Sequence, residues 1–171
     1  MKRTWEVTKL SNTFTVDALI EIPKGSQNKY EFDKEAGVFR LDRVLYSPFH
    51  YPTEYGYIEN TLAEDGDPLD VLVLTTIPTF PGCVIETRVI GVLIMADDKG
   101  QDEKLLGVPT KDPRFKEVQS LADVAPHILK EIAHFFQVYK DLENKVTKIE
   151  GWKGLEEAAR ILEESIVRYQ K

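Results

Sequence analysis

Residues 15–22 alternate between faces, with Val16, Ala18, Ile20 and Ile22 on one side and Asp17 and Glu21 on the other. A repeat of two is that of a strand with one side in a core. Turn-forming residues at 23–28 close it. Alternation resumes at 29–33, with Lys29, Glu31 and Asp33 on the polar face, and residues 38–45 read as a hairpin partner across the turn at Glu35, Ala36 and Gly37. The aromatic, proline-punctuated stretch 47–57 reads as irregular. Residues 69–77, apolar and rich in Val and Thr, predict a buried strand. Residues 84–96 predict a long β-branched strand and 105–108 a shorter one.

The period then lengthens. Ile128, Leu129, Ile132, Phe135, Phe136 and Tyr139 fall on one helical stripe, and Pro126 suits the first turn of that helix. A second helix, punctuated by Gly151 and Gly154, carries Leu155, Ala158, Ala159, Leu162 and Ile166. Strands first and two helices after predict an α+β fold, mainly β, whose sheet forms a small closed or partly closed barrel. The length, 171 residues, suits one domain over 1–171.

Charge narrows the partners. With 22 basic and 29 acidic residues the formal net charge is −7, which disfavours a nucleic-acid surface. No apolar run approaches the ~20 residues of a membrane span, and no apolar stretch follows the basic start, so neither a membrane segment nor a secretory signal is expected. One cysteine, Cys83, excludes an intramolecular disulfide and a cysteine-based zinc site, and the three histidines lack a metalloprotease spacing. These features together point to a cytoplasmic protein.

The acidic segment before the 69–77 strand changes the picture. Asp65, Asp67 and Asp70 fall within six residues, with Gly66 and Pro68 bending the backbone between them. Carboxylates that close repel unless cations neutralise them, and their hard oxygens suit Mg²⁺, Mn²⁺ or Ca²⁺. A lone segment of this kind is more often a solvated turn. It is not an EF-type calcium loop: counted from Asp65, the glycine position holds Asp70 and the final glutamate position holds Thr76. A second acidic loop, 97–104, follows the long strand, and the two can converge on a multi-metal site suited to attack on phosphorus. Lys29, Arg43 and Lys140 are candidate clamps for phosphoryl oxygens, with Tyr55 and Tyr139 as phenols nearby. Taken singly, each is more often a surface, ion-pair or core-edge residue.

These residues together resemble the soluble inorganic pyrophosphatases of family I, in their shorter prokaryotic form. The run Asp65-Gly66-Asp67-Pro68-Leu69-Asp70-Val71 fits that family's metal-binding fingerprint. The match extends through Ile20-Glu21-Ile22-Pro23, Lys29-Tyr30-Glu31, Phe49-His50-Tyr51-Pro52, Tyr55-Gly56, the 97–104 loop, His134-Phe135-Phe136 through Tyr139-Lys140-Asp141-Leu142-Glu143, and Gly151-Trp152. The match runs from Ala18 to Ala159, and residues 1–12 fit least.

The resemblance implies a five-stranded OB-like β-barrel with extra hairpin strands and two main flanking helices. It implies hydrolysis of pyrophosphate to two orthophosphates by a metal-activated water, with several Mg²⁺ per site, Mn²⁺ or Co²⁺ as substitutes and Ca²⁺ as an inhibitor. By position, Asp65, Asp70 and Asp102 look like ligands of the tightest metal, Asp97 and Glu31 like further ligands, and Asp67 like both ligand and general base. Lys29, Arg43, Tyr139 and Lys140 match phosphate-gripping positions, and Tyr55 a catalytic phenol. Glu21, Lys104 and Tyr51 complete the cavity. A homo-oligomer, commonly a hexamer in this branch, is also implied.

Two other readings compete: an OB-type module stacking bases on Tyr51, Tyr55 and Tyr57, and a hydrolase of other phosphoesters. The seven cavity carboxylates against Lys29, Arg43, Lys104 and Lys140 leave a local net of −3, which two divalent cations turn to +1. Part of the chain's acidity is then the empty half of a polyanion site.

Overall fold

In the computed structural model, which describes residues 13–171, the first alternating segment becomes strand β1 (Thr15–Ile22), with Val16, Ala18, Ile20 and Ile22 all buried. Residues 1–12, with the segment that fits the family least and the basic start, lie outside the described residues. The hairpin follows as β2 (Asn28–Asp33) and β3 (Val38–Val44), a separate two-stranded sheet.

The main sheet continues through β4 (Glu54–Tyr57), β5 (Asp70–Val73), the long β6 (Val84–Asp97), the two-residue β7 (Gly100–Gln101) and β8 (Lys104–Pro109). β1 pairs with β4, β4 with β5, β5 in parallel with β8, β8 with β6, and β6 back with β1. That closes a ring of five strands, an OB-like barrel with no free edge around its circumference. A further strand, β9 (Lys148–Lys153), adds to β6 beyond the ring.

Three expectations change. The stretch 47–57 is not wholly irregular, because it contains β4. Only four residues long and buried at Glu54, Gly56 and Tyr57, β4 has no polar face to produce an alternation. A side chain at Gly56 would bring its Cβ within 2.0 Å of the Leu19 carbonyl oxygen, so the close β1–β4 approach requires glycine there. The strand expected at 69–77 ends at Val73: the Leu74 N–H still reaches Gly107 O at 2.9 Å, but Thr75 and Thr79 turn away to bond the buried Glu54 carboxylate. Gly151 punctuates strand β9 rather than a helix.

The first helix, α1 (Pro126–Val138), begins at Pro126 and buries Ile132, Phe135 and Phe136. The second, α2 (Leu155–Tyr169), begins after Gly154 and buries Ala158, Ile161, Leu162 and Ser165. Strand alternation divides the apolar interior between them. Val71 and Val73 join Val16, Ala18, Ile20 and Leu105 in a cluster that includes α2, whereas Leu72 joins Ile22, Leu93 and Leu106 in one that includes α1. Among the described residues no helix is long and apolar enough to cross a membrane.

Candidate active site

The parallel register of β5 and β8 sets Asp70 opposite Lys104. Both are first residues of their strands, so the chain enters the barrel from the two acidic loops at one place. Lys104 is 1% exposed, and its Nζ donates to Asp70 Oδ2 at 2.6 Å and to Asp102 Oδ1 at 2.7 Å. The Tyr55 hydroxyl, on β4, donates to the same Asp70 oxygen at 2.5 Å. Burial opposes the charged ammonium, but the two carboxylates outweigh it and hold the Lys104 pKa well above its ordinary value. Burial pushes Asp70 up to about 6, with Lys104 pulling the other way. Two carboxylates around one ammonium leave an excess of negative charge in a desolvated place.

Above this group opens a cavity of about 590 Å³. Asp65, Asp67 and Asp70 line it from the 58–69 loop and the start of β5, and Asp97 and Asp102 from the turn between β6 and β8. Glu21 lines it from β1, Lys29 and Glu31 from β2, Arg43 from β3, Tyr55 from β4, and Tyr139 and Lys140 from the end of α1. Twelve of the fourteen residues singled out from sequence therefore share one cavity wall. The other two sit behind it. Lys104 lies beneath Asp70 and Asp102, with Nζ 5.2 Å from the Tyr55 ring centroid and 5.3 Å from that of Phe136. Tyr51, 2% exposed, packs edge-on against Tyr55 and beside Phe135.

The turn at 63–67 is closed by the Ala63 N–H donating to Asp67 O at 2.7 Å, and Gly66 supplies the left-handed φ of 91° that it needs. Asp65 Oδ1 accepts the Asp67 N–H at 3.0 Å, and partial burial raises the Asp65 pKa. Asp67 projects outward, with Lys99 Nζ 3.5 Å away. Burial raises Asp97, but its bonds from the Lys99 N–H and from Lys140 Nζ, the latter at 3.0 Å, prevail and lower its pKa.

Each cationic candidate already has a carboxylate partner. Lys29 pairs with Glu31 and with Asp42 at 3.2 Å, and Arg43 with Asp42 at 2.5 Å and with Glu143 at 2.9 Å. Glu21 accepts the Phe32 N–H at 2.8 Å, yet burial dominates and raises its pKa to about 7.

Sequence reasoning assigned no site role to Asp42 or Glu143, which hold Arg43 from two sides. Nor did it place Tyr57 here, although that residue lines the cavity with a buried hydroxyl that no described residue bonds. Tyr57 follows Tyr55 by two along β4, and that spacing was the available signal.

Among the described residues, no three His, Cys, Asp or Glu side chains stand together as a ready-made ion cage. The lysine pairings explain this, since Asp70 and Asp102 lean on Lys104 and Asp97 on Lys140. The donor set nevertheless suits a hard divalent cation. Asp70 Oδ1 and Asp102 Oδ2 take no hydrogen bond from any described residue, and both residues line the cavity.

A closed barrel bears a carboxylate-rich cavity with Lys29, Arg43 and Lys140 on its walls, which places hard-oxygen donors and phosphate-binding cations side by side. The chain belongs to the inorganic pyrophosphatase family, whose model matches residues 18–170. It is 65% identical over 156 residues to an inorganic pyrophosphatase of Geobacillus stearothermophilus, covering 91% of this chain and 94% of that one. An inorganic pyrophosphatase of Methanosarcina acetivorans is 56% identical over 151 residues, 88% of this chain and 90% of that one. The crystal structure of inorganic pyrophosphatase from Thermus thermophilus superposes with a TM-score of 0.89 at 44% identity, covering 97% of each chain.

Proposed function

We propose that the chain hydrolyses inorganic pyrophosphate to two orthophosphates in this cavity, with Mg²⁺ as the working ion, Mn²⁺ or Co²⁺ as substitutes and Ca²⁺ as an inhibitor. The observation that carries the reading is the meeting of Asp65, Asp67, Asp70, Asp97 and Asp102 with Lys29, Arg43 and Lys140 around one cavity. Family membership supports the same reaction.

Asp65, Asp70 and Asp102 are the residues to hold the tightest ion, and Asp97, Asp67 and Glu31 the others. When bound, the ions supply charge neutralisation of the polyanion and acidification of water. The chain's own residues do the rest. Arg43, fixed by Asp42 and Glu143, presents its planar fork to phosphate oxygens, and Lys29, Lys140 and the Tyr139 hydroxyl grip others. Pyrophosphate oxygens take the place of Glu31 on Lys29 and of Asp97 on Lys140, while Asp42 and Glu143 stay on Arg43. Asp67, on the cavity wall with Lys99 Nζ 3.5 Å from its carboxylate, accepts a proton from the attacking water. Tyr55 donates to Asp70 and keeps that carboxylate oriented. Lys104 and Tyr51 act from behind the wall, Lys104 by balancing Asp70 and Asp102 and Tyr51 by packing on Tyr55.

Incubating the protein and Mg²⁺ with pyrophosphate, ATP or an aryl phosphate ester separates this reading from a general phosphoester hydrolase. Release from pyrophosphate far above the other two is the expected result, and equal release from all three contradicts it.

We infer further that the chain acts as a homo-oligomer, a hexamer, in the cytoplasm and as one domain. The family match over 18–170 supports one domain, and exposed Val38, Leu41 and Tyr46 offer apolar contact surface. Light scattering tests the oligomer: a hexameric mass supports it and a monomeric mass contradicts it.

A further inference from the structure

The loop that carries Asp65 and Asp67 is tied to the last turn of α2 through both backbone groups of one residue. The Leu62 N–H donates to Ser165 O at 3.0 Å, and Arg168 Nη1 donates to Leu62 O at 2.6 Å. The neck of the same loop is stapled separately: Thr61 Oγ1 donates to Ile58 O at 2.5 Å and accepts the Leu69 N–H at 2.9 Å. Leu62 leads directly into the hydrogen-bonded turn 63–67, so the guanidinium's hold lies three residues from Asp65 along a bonded path.

Little else holds that turn. Glu64 and Asp67 are exposed and Gly66 has no side chain, leaving Ala63 as the one buried apolar anchor within it. Hydrogen bonds to Leu62, at its entry, therefore help decide where it stands. Arg168 suits the task for an electrostatic reason as well. It sits in the last turn of α2, where helix carbonyls are partly negative, and beside an acidic loop, with Nη2 3.7 Å from Glu64 Oε1. Arg168 does not line the cavity, so whatever it contributes there passes through Leu62.

We propose that Arg168 is a positioning residue for ion binding: by fixing Leu62 it holds the turn 63–67 so that Asp65 faces the cavity. The proposal rests on the reading that Asp65 helps to hold a divalent ion. Without the guanidinium, Leu62 O loses its partner, the turn samples more conformations, and an ion must order it on binding. Removing an outer-shell support of a metal ligand typically weakens metal affinity by about 10–100-fold.

The test is titration of the substrate-free protein with Mn²⁺, followed by the electron-spin signal of the free ion, for the parent, R168M, R168K and R160A. R168M keeps much of the aliphatic stem and loses the donors. R160A removes an arginine of the same helix whose ion pairs among the described residues are with Glu157 and Glu164. R168M is expected to bind Mn²⁺ about tenfold more weakly, R168K to lie between it and the parent, and R160A to match the parent. Turnover of R168M should return towards the parental kcat at high Mn²⁺. Parental affinity in R168M, or an equal loss in R160A, overturns the proposal. Should R168M not fold, R168K carries the test alone: weakened affinity with parental melting in chelator supports the proposal, and parental affinity overturns it. Absence of Mn²⁺ binding by the parent itself would instead refute the metal reading of the site.

Discussion

Lys104 Nζ lies 2.6 Å from Asp70 Oδ2, and the two residues face each other across the parallel pair β5–β8. Asp102 shares the same ammonium at 2.7 Å. The barrel thus holds two of its cavity carboxylates with one internal cation, which neutralises half of their charge and leaves the remainder for an ion from solution.

Removing that cation should strand both carboxylates. K104M is expected to lose about 3–5 kcal/mol of stability in chelator, the cost of breaking a buried ion pair, and to regain part of it when Mg²⁺ is added. Urea unfolding with and without Mg²⁺ measures both effects. Equal stability of K104M and the parent in chelator would show that the buried group does not work as described.

Asp67 differs from its neighbours in projecting outward. D67N should lower turnover by about 10²–10⁴-fold, the range for loss of a general base, while Mn²⁺ affinity of the substrate-free protein falls far less. Parallel rate and binding measurements decide this, and equal losses in both refute the base assignment.

Glu21 gives the metal-free protein a pH dependence. Its folded pKa of about 7 stands above the ordinary 4.5, so between those values the folded chain binds more protons than the unfolded one. Stability should therefore fall as pH rises from 4.5 towards 7, by an amount on the order of 3 kcal/mol for a shift of this size. Asp70, raised to about 6, acts in the same direction. E21Q should flatten the slope in that window without removing Asp70's share; an unchanged slope would show that Glu21 is not the titrating group.

Glu143 Oε1 lies 2.9 Å from Arg43 Nε, an ion pair on a carboxylate only 8% exposed. E143Q keeps the shape and removes the charge, so the Arg43 fork should be less firmly aimed. The expected outcome is a several-fold rise in KM for pyrophosphate with a smaller change in kcat. A KM equal to the parent's would mean that Arg43 is positioned by Asp42 alone.

Much of this arrangement is legible in the chain because the responsible residues are periodic or clustered. β1 announces itself by alternation, and α1 by its stripe from Ile128 to Tyr139 with Pro126 ahead of it. The aspartates of 65–70 are close in sequence, and turns bring them together. β4 is hidden because four residues with neighbours on both sides need no polar face. β9 is hidden because its Gly151 adopts a φ of 125° inside a half-buried strand, where composition suggests a break.

Depth is the harder quantity. Nothing in the spacing of Lys104 or Tyr51 says that they stand behind the cavity wall rather than on it. Arg168 and Glu143 exert their influence on partners distant in sequence, Leu62 and Arg43, and no local pattern encodes such a contact. The pairing of lysines with would-be ligands is likewise a property of packing alone.

Phosphate release from pyrophosphate across a Mg²⁺ titration, begun from protein stripped with chelator, tests the central claim most directly. The expected result is no turnover without the ion, two orthophosphates formed for each pyrophosphate consumed once Mg²⁺ is restored, and poor replacement of Mg²⁺ by Ca²⁺. Release no greater than that of Mg²⁺ and pyrophosphate alone, or full turnover persisting in chelator, would contradict it.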